Sequence, residues 1–186
     1  MKITEIYEQL ITEVTKTKPM IAYHGSKHKF DSFTDEFVGG KEATDQEGPG
    51  IYFTTSEEDA RGYGEFMYKV MLSPRKLLDK SPNYQKYGPT LMKLIKMAPD
   101  WKDSAQNWDE NYNRGVIEAA KSFIDYNDNE KDCFLQVWID FYRDHPFDYV
   151  KNMVKLGFDG IIVNAYGRNE DVKHIIVYNP SIIKTI

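Results

Sequence analysis

Apolar side chains recur at Ile3, Ile6, Tyr7, Leu10, Ile11 and Val14. That is the spacing of one helix face and predicts an amphipathic first helix, which Thr15-Lys16-Thr17-Lys18-Pro19 ends. The period then changes. Met20 to His24 reads as a buried strand, Gly50 to Thr54 as a second, and Phe66 to Leu72 as a third that Ser73-Pro74 stops. Between the first two lies a long polar loop, Ser26 to Pro49, with scattered Phe30, Phe33 and Phe37. A loop of that length in a compact domain usually carries function. Ser56 followed by Asp59 is a capping box in the wider sense and predicts a helix from about Glu57 to Gly64. Leu77-Leu78-Asp79 reads as chain leaving the sheet. Residues from about 85 to 155 are helix-like, with candidates at Thr90–Met97, Ala105–Tyr126, Cys133–Arg143 and Phe147–Leu156. Strands return at Gly160–Val163 and His174–Tyr178.

Strands thus crowd both ends, with a helical insertion between. The expected class is α+β, with a split, mostly antiparallel sheet. The two strand-bearing ends must meet in space, because neither could bury its apolar strands alone. No repeat or domain boundary is visible, and 186 residues fit one domain with a real core.

Composition adds limits. Apolar content of 41% and charge of 28% read as soluble and globular. The 13 Tyr and 10 Phe are a heavy aromatic load, suited to a core or to stacking on flat ligands. A net charge of −5 argues against non-specific nucleic-acid binding, which needs a basic field. Cys133 is the single cysteine, so no intrachain disulfide forms and a Cys-based zinc site is excluded. No apolar run approaches the ~20 residues that span a bilayer, and the first residues carry charges where a signal peptide needs an apolar stretch. The expected location is the cytoplasm, with no membrane partner.

Several constellations fail. Asp125 to Glu130 hints at an EF-hand loop, but Glu130 stands where Gly is required and Gln136 where Glu is required. No phosphate-binding Gly-rich loop or nucleophile elbow occurs. Cys133 reads as a buried helix cysteine. His28 and His145 read as surface residues.

Three segments point to one chemistry. Ala22-Tyr23-His24-Gly25-Ser26 ends an apolar strand. Gly48-Pro-Gly-Ile-Tyr52-Phe is followed by Ala60 and by Tyr63, eleven residues after Tyr52. His174-Ile-Ile-Val-Tyr-Asn-Pro180 forms the third. In this order they resemble the three motifs of the histidine–tyrosine class of ADP-ribosyltransferases, which includes poly(ADP-ribose) polymerases and diphtheria-type toxins. Gly157-Phe-Asp-Gly-Ile-Ile162 resembles the strand lead-in of the small bacterial and phage members. The matching segments cover under half the chain, and the helical insertion matches nothing.

The resemblance implies an enzyme with NAD as co-substrate and no metal. It implies that His24 bonds the adenosine-side ribose, Gly25 and Ser26 hold the nicotinamide carboxamide, and Tyr52 and Tyr63 flank the ring, with Tyr63 the direct stacker. His24, Tyr52 and His174 are the implied catalytic group. Most members carry Glu where this chain has His174, to bind the ribose 2′-OH and activate the acceptor. This departure argues against chain-forming polymerase activity. A His there can bond the 2′-OH or act as a base near neutral pH; Glu170 and Asp171 lie just upstream but align poorly. The plainer readings stay open: a structural His24, a core Tyr52, a helix-face Tyr63, an edge-strand His174.

The expected function is mono-ADP-ribosyl transfer to a macromolecular acceptor, a host protein if the chain is a phage effector. An NAD glycohydrolase, and an inactive module that binds NAD or a partner, are the alternatives.

Overall fold

The computed structural model describes residues 18–37, 48–79, 84–108, 120–122, 133–165 and 171–186. The helix expected over residues 3–14, Glu170, and the EF-hand-like segment up to residue 132 lie outside them. The strands are β1 (Met20–Ser26), β2 (Ile51–Thr54), β3 (Phe66–Leu72), β4 (Leu77–Asp79), β5 (Gly160–Asn164), β6 (Lys173–Val177) and β7 (Ile183–Thr185). They form one seven-stranded sheet in the order β4-β5-β6-β2-β1-β3-β7. Every pairing is antiparallel except β4 with β5, which is parallel. The strands before and after the helical insertion therefore interleave in one sheet, as the apolar patterns require.

Leu77–Asp79 corrects the sequence reading. It does not leave the sheet but joins it as an edge strand, with Leu78 opposite Ile161. Three residues are too few for alternation to register, and the partner lies over eighty residues away. The edge strands β4 and β7 are each three residues long, which limits the unpaired backbone they present.

The helices are α1 (Glu57–Arg61), α2 (Tyr84–Met97), α3 (Trp101–Trp108), α4 (Cys133–Phe141) and α5 (Pro146–Lys155). The expected starts at Thr90 and Ala105 fall inside α2 and α3. The helix α2 carries Pro89 within it, where one backbone bond is forgone. Residues 120–122 are helical as well. Leu91, Leu94 and Ile95 of α2, Phe134, Val137, Trp138 and Phe141 of α4, and Tyr149, Val150 and Met153 of α5 are buried at helical spacing. They join one core with the strand residues Ile51, Phe53, Ile161, Ile175 and Val177. Fully burying each such side chain contributes about 1.5–3 kcal/mol. Cys133 is buried here too.

The insertion closes over the end of the sheet where β5 begins and β6 ends. Phe134 meets Phe158, and Tyr149 meets Tyr178, edge to face. The helix α5 stops in a Schellman motif, in which Gly157, at φ 91°, donates to Val154 O and Phe158 donates to Met153 O. The chain then turns straight into β5.

Candidate active site

Strands β1 and β2 share a single paired position, Tyr23 opposite Thr54. Beyond it they part, and this is the split in the sheet. His24 stands at the opening. Its Nδ1 lies 2.7 Å from the carbonyl oxygen of Tyr52. A carbonyl only accepts, so Nδ1 carries the proton and the imidazole supplies the bond that a strand N–H would have made. Nε2 is then an acceptor, and no described residue bonds it. The ring sits among Phe30, Phe33, Phe53 and Tyr68, with centroids 5.3–6.1 Å away. Burial lowers the His24 pKa below its ordinary 6.5, and the bond to Tyr52 only partly opposes this. The ring is neutral at neutral pH.

Phe30 and Phe33 come from the long loop. Tyr68 ties that loop down: its hydroxyl accepts from the Phe30 N–H at 2.7 Å and donates to the Phe30 carbonyl at 3.1 Å. Its ring stacks on Phe30 at 4.2 Å.

Antiparallel partners point to the same side of a sheet, and neighbours along a strand alternate. Thr54 faces both Tyr23 and His174 in register. By that alternation Gly25, Tyr52, Thr54 and His174 share one face, and His24, Phe53 and Ile175 share the other. The helix α1 lies on the first face. A Cβ built on Gly25 would stand 1.9 Å from the Ala60 carbonyl oxygen, and one on Gly64 would stand 2.1 Å from the Ser26 carbonyl carbon. Two glycines thus let α1 and its exit lie directly on the end of β1. Tyr63 is carried between them. Its N–H donates to Ala60 O, and the residue is 51% exposed.

The His174 ring meets Tyr63 edge-on, with centroids 6.4 Å apart. Its Nε2 lies 2.9 Å from Oδ2 of Asp59, whose side chain is 3% exposed. Ser56 caps α1 by accepting the Asp59 N–H, while its own N–H goes to Thr54 Oγ1. The reciprocal half of the capping box is therefore absent, and the Asp59 carboxylate is turned to His174 instead. Ser26 Oγ accepts the His28 N–H at 3.1 Å. The Tyr52 hydroxyl donates to Gly48 O at 2.5 Å, and its ring packs on the core.

Gly25, Tyr52, Tyr63 and His174 are thus brought to one face. Ser26 lies at its rim, and His24 presents its ring to the other face. Sequence reasoning missed Asp59 and Tyr68. Asp59 carried a signal, an acid at the third position of a helix, but that signal named a cap. Tyr68 looked like any strand aromatic.

Among the described residues no group of three or more His, Cys, Asp or Glu could hold a metal ion. No helix among them is long and apolar enough to cross a membrane.

A family model described as ADP-ribosyltransferase in polyvalent proteins matches residues 15–186. Among solved structures, the chain is similar to one described as the crystal structure of an anti-CRISPR protein. The two share 14% identity at a TM-score of 0.40, over 92% of this chain and 98% of that one. Among curated proteins none matches.

Proposed function

The chain belongs to the ADP-ribosyltransferase family of polyvalent proteins, and from that premise we propose that it is a mono-ADP-ribosyltransferase that takes ADP-ribose from NAD and gives it to a protein. One observation carries this reading: Gly25, Tyr52, Tyr63 and His174, drawn from three distant segments, share one face beside the opening between β1 and β2. The half-exposed Tyr63 ring offers a stacking surface at that face, as nicotinamide needs. At the opening, the unbonded Nε2 of neutral His24 offers an acceptor to a ribose hydroxyl. These features fit NAD.

In this reading Gly25 and Ser26 hold the carboxamide, Tyr52 and Tyr63 flank the ring, and His24 takes the adenosine-side ribose. The bond from the ribose C1′ to nicotinamide breaks through an oxocarbenium-like state. His174 flanks that bond. It lacks the fixed negative charge of a carboxylate, which favours a single transfer over chain growth. The overall charge of −5 favours a protein acceptor over nucleic acid.

The test incubates the protein with NAD labelled in its adenylate half and with bacterial lysate. Label on protein, with nicotinamide released in step, is expected. Nicotinamide release that needs no acceptor would make it a glycohydrolase instead, and NAD binding without release would make it a binding module. Tyr63→Ala should weaken NAD binding several-fold, by roughly 0.5–1.5 kcal/mol. Unchanged NAD affinity in Tyr63→Ala would remove the ring from the site.

A further inference from the structure

We propose that Asp59 is the positioning residue of an Asp59–His174 pair in which His174 serves as the general base, a proposal that rests on the transferase reading above. A carboxylate only accepts, so the bond between Asp59 Oδ2 and His174 Nε2 fixes the proton on Nε2. The Nδ1 lone pair is then the imidazole's acceptor, and no described residue bonds it. Both partners are held. His174 sits in β6 between Thr54 of β2 and Val163 of β5. Asp59 is fixed through its backbone by the Ser56 cap. Tyr63 meets the same ring edge-on, so the pair opens beside the stacking surface.

The C1′–nicotinamide bond breaks, and its electron pair leaves with nicotinamide. The acceptor's nucleophilic atom forms the new bond to C1′. The acceptor's proton goes to Nδ1 of His174. The imidazolium so formed is stabilised by the Asp59 carboxylate across the Nε2–H bond, much as a buried acid supports a base elsewhere. An imidazole alone would have two tautomers to choose from. Asp59 makes it one base with one free face.

The experiment compares the full chain with Asp59→Asn, His174→Ala and the double variant. Each is assayed for nicotinamide release, and the imidazole nitrogens are read by 15N NMR. Asp59→Asn should lower kcat by at least about 10-fold with KM nearly unchanged. The double variant should be no slower than His174→Ala alone. The wild-type spectrum should show Nε2 protonated and Nδ1 bare, and Asp59→Asn should lose that preference. Losses that multiply in the double variant, or a wild-type proton on Nδ1, would overturn the pair. If Asp59→Asn does not fold, the wild-type spectrum decides. If the wild type releases no nicotinamide, the transferase reading fails by itself, and the Asp59 dependence of the His174 tautomer judges the pair.

Discussion

Gly25 shows how packing alone can demand a glycine. Read as sequence, it allows a backbone to approach a ligand without a Cβ clash. In the fold, the space its Cβ would take already belongs to the Ala60 carbonyl oxygen, 1.9 Å away. Backbone cannot yield as a flexible side chain does. Gly25→Ala should therefore push α1 off β1, cost about 1–3 kcal/mol of stability, and displace Tyr63 with it. Urea unfolding should show the loss, and a melt equal to wild type would contradict the packing. His24 couples stability to pH. Its folded pKa is depressed, chiefly by burial, below the ordinary 6.5. The unfolded chain thus binds the proton first as pH falls. The His24 contribution is fully present above 6.5 and is lost as pH drops through the folded pKa. His24→Asn keeps a donor for Tyr52 O and should flatten that part of the pH dependence of unfolding. An unaltered slope below 6.5 would mean that the ring is not buried as described.

At the scale of elements, the helical insertion is held by a polar knot inside its apolar contacts. Tyr142, just past α4, donates to Leu94 O of α2 at 2.6 Å, and Asn152 of α5 donates to the Tyr142 hydroxyl at 3.2 Å. Three helices thus meet on one phenol. Burial pushes the Tyr142 pKa up from 10.0 to about 12, against a lowering bond from Asn152. A raised folded pKa gives stability that is whole below 10 and lost as pH rises through 12. Tyr142→Phe should remove that alkaline decline. At neutral pH it should cost about 1–3 kcal/mol, because Leu94 O is left without its donor. Thermal melts across the alkaline range check both halves. This knot was not legible in the sequence, although the helices around it were. Periodicity reports which face is apolar, and it found α4 and α5 nearly to their ends. It says nothing of a buried hydroxyl that must find partners from other helices. For the same reason α1 was foreseen from Ser56 and Asp59, yet the carboxylate's real partner, His174, lies 115 residues away.

For the molecule as a whole, alternation and motif order carried the class and the mostly antiparallel sheet. Motif order also carried the meeting of Gly25, Tyr63 and His174. Contacts between distant segments escaped, and the parallel edge strand β4 is the clearest case. The approach to it is held by Asp159, whose side chain is fully buried. Arg75, two residues before β4, donates to that carboxylate from its backbone N–H at 2.7 Å and from its guanidinium at 3.0 Å. Asn179, beyond β6, donates to it at 3.3 Å. One carboxylate therefore ties the approach to β4, the start of β5 and the exit from β6. Burial alone would raise its pKa. The bonds from Arg75 and Asn179 outweigh burial and hold it below 3.8. A depressed folded pKa means stability that is present above 3.8 and lost as pH falls through the folded value. Asp159→Asn replaces a pure acceptor with a group whose amide hydrogens face donors. It should cost about 1–3 kcal/mol at neutral pH and remove this share of the acid transition. The loss should be global, because the three segments belong to one sheet with the strands of the candidate active site. Hydrogen exchange should show faster opening in β4 and β5 and in the central strands β6 and β2 alike. Faster exchange confined to β4 would reduce Asp159 to an anchor of that edge.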